Sequence, residues 1–95
     1  MPVPTPNQDD PTVLALAALA ATLGDERRAQ RFLDLTGIGT DELRARAGDP
    51  TLLVALIAFL EAHEPDLIAV AEEIGVKPET LIAARRALDS TREQE

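Results

Sequence analysis

Residue types that carry out catalysis are scarce in this chain of 95 residues. It contains no cysteine, and its one histidine, His63, lies among acidic residues in the segment EAHEPD. A metal site needs ligands that converge from several turns, whereas a lone histidine at a helix end is more often a solvated cation. The one serine, Ser90, lies near the end of the chain. We therefore predict no catalytic residue, no metal and no cofactor, and expect a protein that is not an enzyme.

The segment LTGIGTDEL, residues 35–43, is similar to the turn of helix-hairpin-helix proteins. A glycine-apolar-glycine turn can point backbone N–H groups at a phosphate. Asp41 and Glu42 follow the turn, where such hairpins usually carry a small or basic residue. A helix-capping turn is therefore the simpler interpretation.

The segment LIAVAEEIGVKPETLIAARRAL, residues 67–88, is similar to a helix-turn-helix with Ala71 under the turn and Gly75 within it. The residues that would contact DNA are Lys77, Thr80, Arg85 and Arg86. Several glutamates lie beside them in the sequence, and a negative surface repels phosphate. Two ordinarily packed helices are the simpler interpretation, and a DNA-binding regulator stays as the alternative.

Apart from Arg92, the arginines occur in three clusters, at residues 27–31, 44–46 and 85–86. Arg31 lies one turn from both Arg27 and Asp34, so local ion pairs on solvated helix faces are one explanation. The other is a basic patch on the second and third helices that meets an acidic partner, or the acidic second half of a neighbouring copy.

Capping residues and apolar spacing predict an all-α protein, a compact bundle of five to six short helices. Asp10 and Asp49 each precede a proline, the arrangement of an N-cap before the first helical residue. Further caps are expected at Asp25 and Thr40, and glycines such as Gly75 are expected to end helices. The expected helices cover about 11–23, 26–36, 41–47, 50–62, 64–74 and 78–88.

The two halves of the chain resemble each other. DPTVLALAAL at residue 10 aligns with DPTLLVALIA at residue 49, and GIGTDEL aligns with GVKPETL further along. This pattern suggests two three-helix repeats, residues 10–48 and 49–88, that pack on each other. Coincidence of common capping residues is the alternative. The prediction is a single helical domain at 10–89, between a disordered, proline-rich arm at 1–9 and a frayed tail at 90–95.

Apolar spacing predicts which sides of the helices are buried. The buried face of the first helix is predicted at Val13, Leu16, Ala17, Ala20 and Leu23. The fourth helix is apolar on more than one side, which indicates burial on several sides or contact with another chain. We predict that Leu53, Ile57 and Leu60 form a surface for a partner or for self-association.

Composition sets the remaining expectations. The net charge is −8, and the chain has two phenylalanines but no tyrosine or tryptophan, so the core must be aliphatic. No apolar stretch is long enough to span a membrane, and the N-terminus lacks the pattern of a signal peptide. These features, with the absence of cysteine, predict a cytoplasmic protein without membrane contact or an evident small-molecule substrate.

The stretches FLDLTGI, DELRARAGDP and AARRAL resemble domain of unknown function 3572, a family of short alphaproteobacterial helical proteins. The resemblance covers roughly residues 12–88. It implies a compact bacterial helical domain and offers no catalytic residue. Together with the residues above, it leads us to expect a small non-enzymatic module for protein interaction or regulation, which acts through a protein partner or self-association.

Overall fold

The computed structural model describes residues 10–93, with side chains described up to residue 90. Within that range the chain forms six helices and no strand, which confirms the all-α prediction. The helices are α1 (Pro11–Leu23), α2 (Glu26–Thr36), α3 (Thr40–Ala45), α4 (Pro50–Glu61), α5 (Glu64–Ile74) and α6 (Pro78–Glu93). The predicted arm at 1–9 lies outside the described residues, and α6 continues past the predicted domain end at residue 89.

The two DPT segments begin their helices with the same contact. Asp10 Oδ1 accepts a hydrogen bond from the backbone N–H of Thr12, and Asp49 Oδ1 accepts one from Thr51, each at 2.9 Å. The proline between them already has a helical φ and needs no hydrogen-bond acceptor. The predicted caps are therefore confirmed at both positions. At α3 the cap is Gly39 rather than the predicted Thr40, which is the first helical residue.

Glycines end α2 and α5 in the left-handed conformation. Gly37 has φ 72° and Gly75 has φ 79°, and the N–H of Gly37 donates to the carbonyl of Leu33 at 2.8 Å. A side chain at such a φ crowds the backbone, which is why glycine is favoured there. These glycines occupy equivalent places in the two halves of the chain.

Helix α4 lies at the centre of the core. It contacts α1, α5 and α6, and it buries seven side chains. The buried residues of α4 are Leu52, Leu53, Val54, Leu56, Ile57, Phe59 and Leu60. A helix that is apolar on every side is stable in water only when neighbours cover all of it.

The buried face of α1 is not the predicted one. The structure buries Leu14, Ala15, Ala18, Leu19 and Thr22, whereas Val13, Leu16, Ala20 and Leu23 are exposed. Apolar residues cover most of this helix, so spacing alone does not select a side. Both sides carry two alanines, and the two that face inward, Ala15 and Ala18, let neighbouring helices approach closely. Thr22 is tolerated there because its hydroxyl donates to the carbonyl of Ala18 at 2.8 Å.

Helices α2 and α3 lie at one side of the core formed by α1, α4, α5 and α6. Phe32 of α2 is buried against Phe59 of α4, with the rings edge to face and their centroids 5.3 Å apart. Helix α1 packs against all three helices of the second half, so the core is not divided between the two halves. The two three-helix repeats stay a prediction.

Candidate interaction surface

The predicted partner surface on α4 is wrong. Leu53, Ile57 and Leu60 are each 0% exposed. Helix α4 is apolar on more than one face because α1, α5 and α6 pack around it. No other chain is needed to cover these faces. These residues stabilise the core and offer no contact to a partner in this fold.

The residues of the helix-turn-helix alternative are not all free to contact DNA. Lys77 and Arg86 are exposed, and Thr80 is half-buried. The guanidinium of Arg85 pairs with Glu61 of α4 and, at 3.1 Å, with Asp89. The hydrogen bond with Glu61 raises the pKa of Arg85, so this side chain is fixed as a positive link between α4 and α6. The predicted arrangement of Ala71, buried beneath the turn at Gly75, is present.

The LTGIGTDEL turn has the backbone of a helix cap. Gly37 is left-handed and ends α2, and Gly39 is extended and precedes α3. Asp41 and Glu42 lie in the first turn of α3, where carboxylates interact favourably with the positive end of the helix dipole. Their negative charges would repel a phosphate at this turn.

His63 is exposed and is the residue before α5, where its side chain makes no capping hydrogen bond. Among residues 10–93 no group of three or more histidine, cysteine or acidic side chains is arranged to hold a metal ion. Nor is any helix within that range long and apolar enough to cross a membrane.

Three arginines, Arg28, Arg31 and Arg85, pair with an acidic residue of another helix, and local pairs about one turn apart occur as well. Arg28 Nη2 donates to Glu73 at 2.7 Å, and Arg31 Nη1 donates to Asp66 at 2.7 Å. Both contacts attach α2 to α5. Arg31 was expected to pair with Asp34, yet it reaches α5 and also lies over the ring of Phe59.

Arg46 bridges the start of α4 to α3, and its guanidinium lies 3.2 Å from both Glu42 and Asp49. The backbone N–H of Thr51 and, after it, Arg46 lower the pKa of Asp49. The cap of α4 thus keeps its charge in more acidic solution than an ordinary aspartate does.

Arg27 and Arg44 differ from these arginines. Both are exposed, and neither guanidinium makes an ion pair or hydrogen bond with another residue of the described part of the chain. Arg27 is on α2 and Arg44 is on α3, so they lie in the region predicted as a basic patch. The structure therefore leaves two positive charges of that region available to another molecule.

These two arginines border an apolar groove between α1, α2 and α3, which we call the α1–α2–α3 groove. Its volume is about 390 Å³. The lining residues are Leu19, Leu23, Ala29, Leu33, Thr40, Leu43, Arg44 and Ala47. A neighbouring depression shares Leu23, Ala29 and Leu33 and extends to Arg27. An aliphatic groove bordered by Arg44, with Arg27 at the adjoining depression, is thus open to solvent.

The groove continues onto the open side of α1. Leu16 and Leu23 are each 37% exposed and lie two helical turns apart, on one side of the helix. Sequence reasoning assigned these residues to the core, so it missed this surface. The sequence did carry a signal, because α1 has more apolar residues than a single buried face requires. The same excess was interpreted as a partner surface only on α4.

A family model described as a protein of unknown function, DUF3572, matches residues 8–91. The match covers most of the chain, and the chain belongs to this family. No curated protein and no solved structure matches it at a significant level.

Proposed function

We propose that this member of the DUF3572 family is a non-enzymatic protein-interaction module of the cytoplasm, and that the α1–α2–α3 groove is its docking surface. The observation that carries the proposal is that groove. The groove presents Leu23, which is 37% exposed, and the half-buried Leu33 beside Arg27 and Arg44. An apolar centre with a charged rim is the usual anatomy of a protein interface.

The groove also suits this role because it combines two kinds of contact. The more open side chains of the groove, Leu23 and Leu33, would supply burial of apolar surface, which provides most of the binding free energy. Arg27 and Arg44 would set orientation and partner choice, since exposed charges contribute more to specificity than to affinity.

The experiment compares capture of native partners by the wild-type chain and by two matched variants of α2. Leu33→Asp puts a charge in the groove, and Leu35→Asp makes the same change at a side chain that is 71% exposed and outside the groove. We expect the first variant to lose bound proteins that wild type retains, and the second to keep them. Equal capture by both would contradict the proposal.

Leu33 is half-buried, so folding of the variant needs its own control. Circular dichroism and thermal melting would show whether Leu33→Asp still folds. Leu23→Gln changes a more exposed lining residue and should reduce capture in the same direction, with a smaller effect on stability.

A DNA-binding regulator is the second candidate, supported by α5, the turn at Gly75 and the exposed Lys77 and Arg86. It has less support because Arg85 is paired and because Glu72, a neighbour of the turn, is exposed. Retention on nonspecific duplex DNA at low salt, lost in the Lys77→Ala, Arg86→Ala double variant, would favour it. We expect no retention.

A further inference from the structure

The chemistry of the groove restricts what kind of segment can occupy it. Apart from Thr40 and Arg44, its lining is aliphatic. An extended peptide in such a groove would leave backbone N–H and C=O groups without partners, and each unpaired buried group is costly. Residues 10–93 also offer no strand edge with which an extended peptide could pair. A helix satisfies its own backbone and needs only an apolar face.

The charges of Arg44 in the groove and of Arg27 in the adjoining depression restrict the occupant further. Arg27 and Arg44 make no ion pair with a described residue, although the charge of Arg27 lies near Asp25, whereas Arg28, Arg31, Arg46 and Arg85 are all paired. Carboxylates on the occupant would pair with the two free guanidinium groups. Glu26 also borders the neighbouring depression, and it disfavours a carboxylate only at that point.

We propose that the groove binds an amphipathic helix of a partner protein, with aliphatic residues along one face and carboxylates beside them. This inference rests on the proposed function and specifies its ligand. The preference for an acidic helix runs against the net charge of −8, which repels acidic molecules at long range. It therefore depends on the local arginines and not on the chain as a whole.

A second copy of this chain fits the groove less well. The described part of the chain has one exposed aliphatic stripe of three residues, that of α1 with Val13, Leu16 and Leu23, and its other exposed large aliphatic side chains are Leu35 of α2 and Ile68 of α5. The sequence of α1, PTVLALAALAATL, contains no acidic residue. Two copies that met through this stripe would leave Arg27 and Arg44 without carboxylates.

Synthetic helical peptides of about 18 residues, or about five turns, would test the inference. One peptide carries leucines along one face with glutamates beside them, the second has lysines in place of the glutamates, and the third has the first peptide's composition in a scrambled order. Each contains one tryptophan. The protein has no tryptophan or tyrosine, so tryptophan emission reports the peptide alone.

The expected result is that the glutamate peptide binds between about twofold and about thirtyfold tighter than the lysine peptide, because each exposed ion pair contributes modestly. The scrambled peptide should not bind. Arg27→Ala with Arg44→Ala should remove the preference for glutamate, and high salt should weaken it. Leu33→Asp should abolish binding, while Leu35→Asp should leave it unchanged.

Two results would overturn the inference. The first is equal or tighter binding of the lysine peptide, and the second is no binding of either amphipathic peptide. If either result occurs while Leu33→Asp still loses its native partners, the groove remains the docking surface, but its ligand is not an acidic amphipathic helix. If Leu33→Asp and Leu35→Asp capture the same partners as wild type, the docking surface itself is wrong, whatever the peptides do.

Discussion

Helices α1 and α4 each follow a capping aspartate, begin with the same two residues and have similar apolar content, yet they meet different surroundings. Helix α4 is enclosed, and Leu53, Ile57 and Leu60 are inaccessible to solvent. Helix α1 buries one side against α4, α5 and α6 and leaves Leu16 and Leu23 open. The local sequence sets where each helix begins, whereas neighbouring helices set how much of it is covered.

The difference arises because α2 and α3 do not cover α1 as α5 and α6 cover α4. Helix α3 has only six residues and contributes one buried side chain, Leu43. Its counterpart in the second half, α6, is far longer and packs along both α4 and α1. The α1–α2–α3 groove is the space that a short α3 leaves open.

Truncation of a core leucine should give the largest contrast between the two helices. Leu53→Ala removes a fully buried side chain from α4 and should lower the free energy of unfolding by about 2–5 kcal/mol. Leu16→Ala on the open side of α1 should cost less than about 1.5 kcal/mol, because part of that side chain is already hydrated. Urea denaturation measures both, and similar small losses would mean that α4 is not enclosed.

Replacement of the left-handed glycines should have the next largest effect. Gly37→Ala and Gly75→Ala should each destabilise the fold by about 1–2 kcal/mol, because alanine is strained at positive φ. Gly48→Ala is the control, since Gly48 has ordinary φ and open space around it, so this change should be neutral or stabilising. Equal losses at all three positions would indicate a general effect of the added methyl group.

Removal of the aspartate caps of α1 and α4 should cost less stability than replacement of the glycines. The two losses should also differ from each other, because the residues around the two caps differ. Asp10→Ala and Asp49→Ala should each lower stability by about 0.5–2 kcal/mol. The second should cost more, because Asp49 also pairs with Arg46. In an Arg46→Ala background the two losses should become similar, and a difference that persists there would contradict this explanation.

The smallest effect should be found in how steeply the free energy of unfolding falls as the solution becomes acidic. Hydrogen bonds from the backbone N–H of Arg28 and Thr51 lower the folded-state pKa of Asp25 and Asp49 below the ordinary value of 3.8. The unfolded chain then binds more protons in acidic solution, so the contribution of these two aspartates is present above pH 3.8 and is lost as the pH falls through their lower folded-state pKa. Asparagine also caps helices but does not titrate. In the variant with Asp25→Asn and Asp49→Asn, the free energy of unfolding, measured by urea denaturation, should therefore fall less steeply in acid. If the free energy of unfolding falls as steeply in this variant as in wild type, other carboxylates control the loss of stability in acid.

The helices could be predicted because their signals are local. Asp10, Asp49, Gly37 and Gly75 act on residues a few positions away, and the structure confirms all four. The predicted end of the last helix was wrong because a polar segment without glycine or proline can continue a helix as readily as it can fray.

The candidate surface could not be predicted in the same way. Apolar spacing on α1 and α4 is compatible with burial on either side, and only the packing of distant helices selects one. The pairing of Arg31 with Asp66 and of Arg85 with Glu61 also joins residues far apart in the sequence. The packing of distant helices therefore also decides which arginines form no ion pair. This is why the sequence alone could not single out Arg27 and Arg44 at the groove.

Methyl NMR with a soluble paramagnetic agent would test most directly whether the open apolar surface lies on α1 rather than on α4. The agent broadens signals of methyl groups that solvent can reach. We expect strong broadening at Val13, Leu16 and Leu23 and sharp signals at Leu53, Ile57 and Leu60. Broadened methyl signals from Leu53, Ile57 and Leu60, with protected ones from α1, would contradict the account.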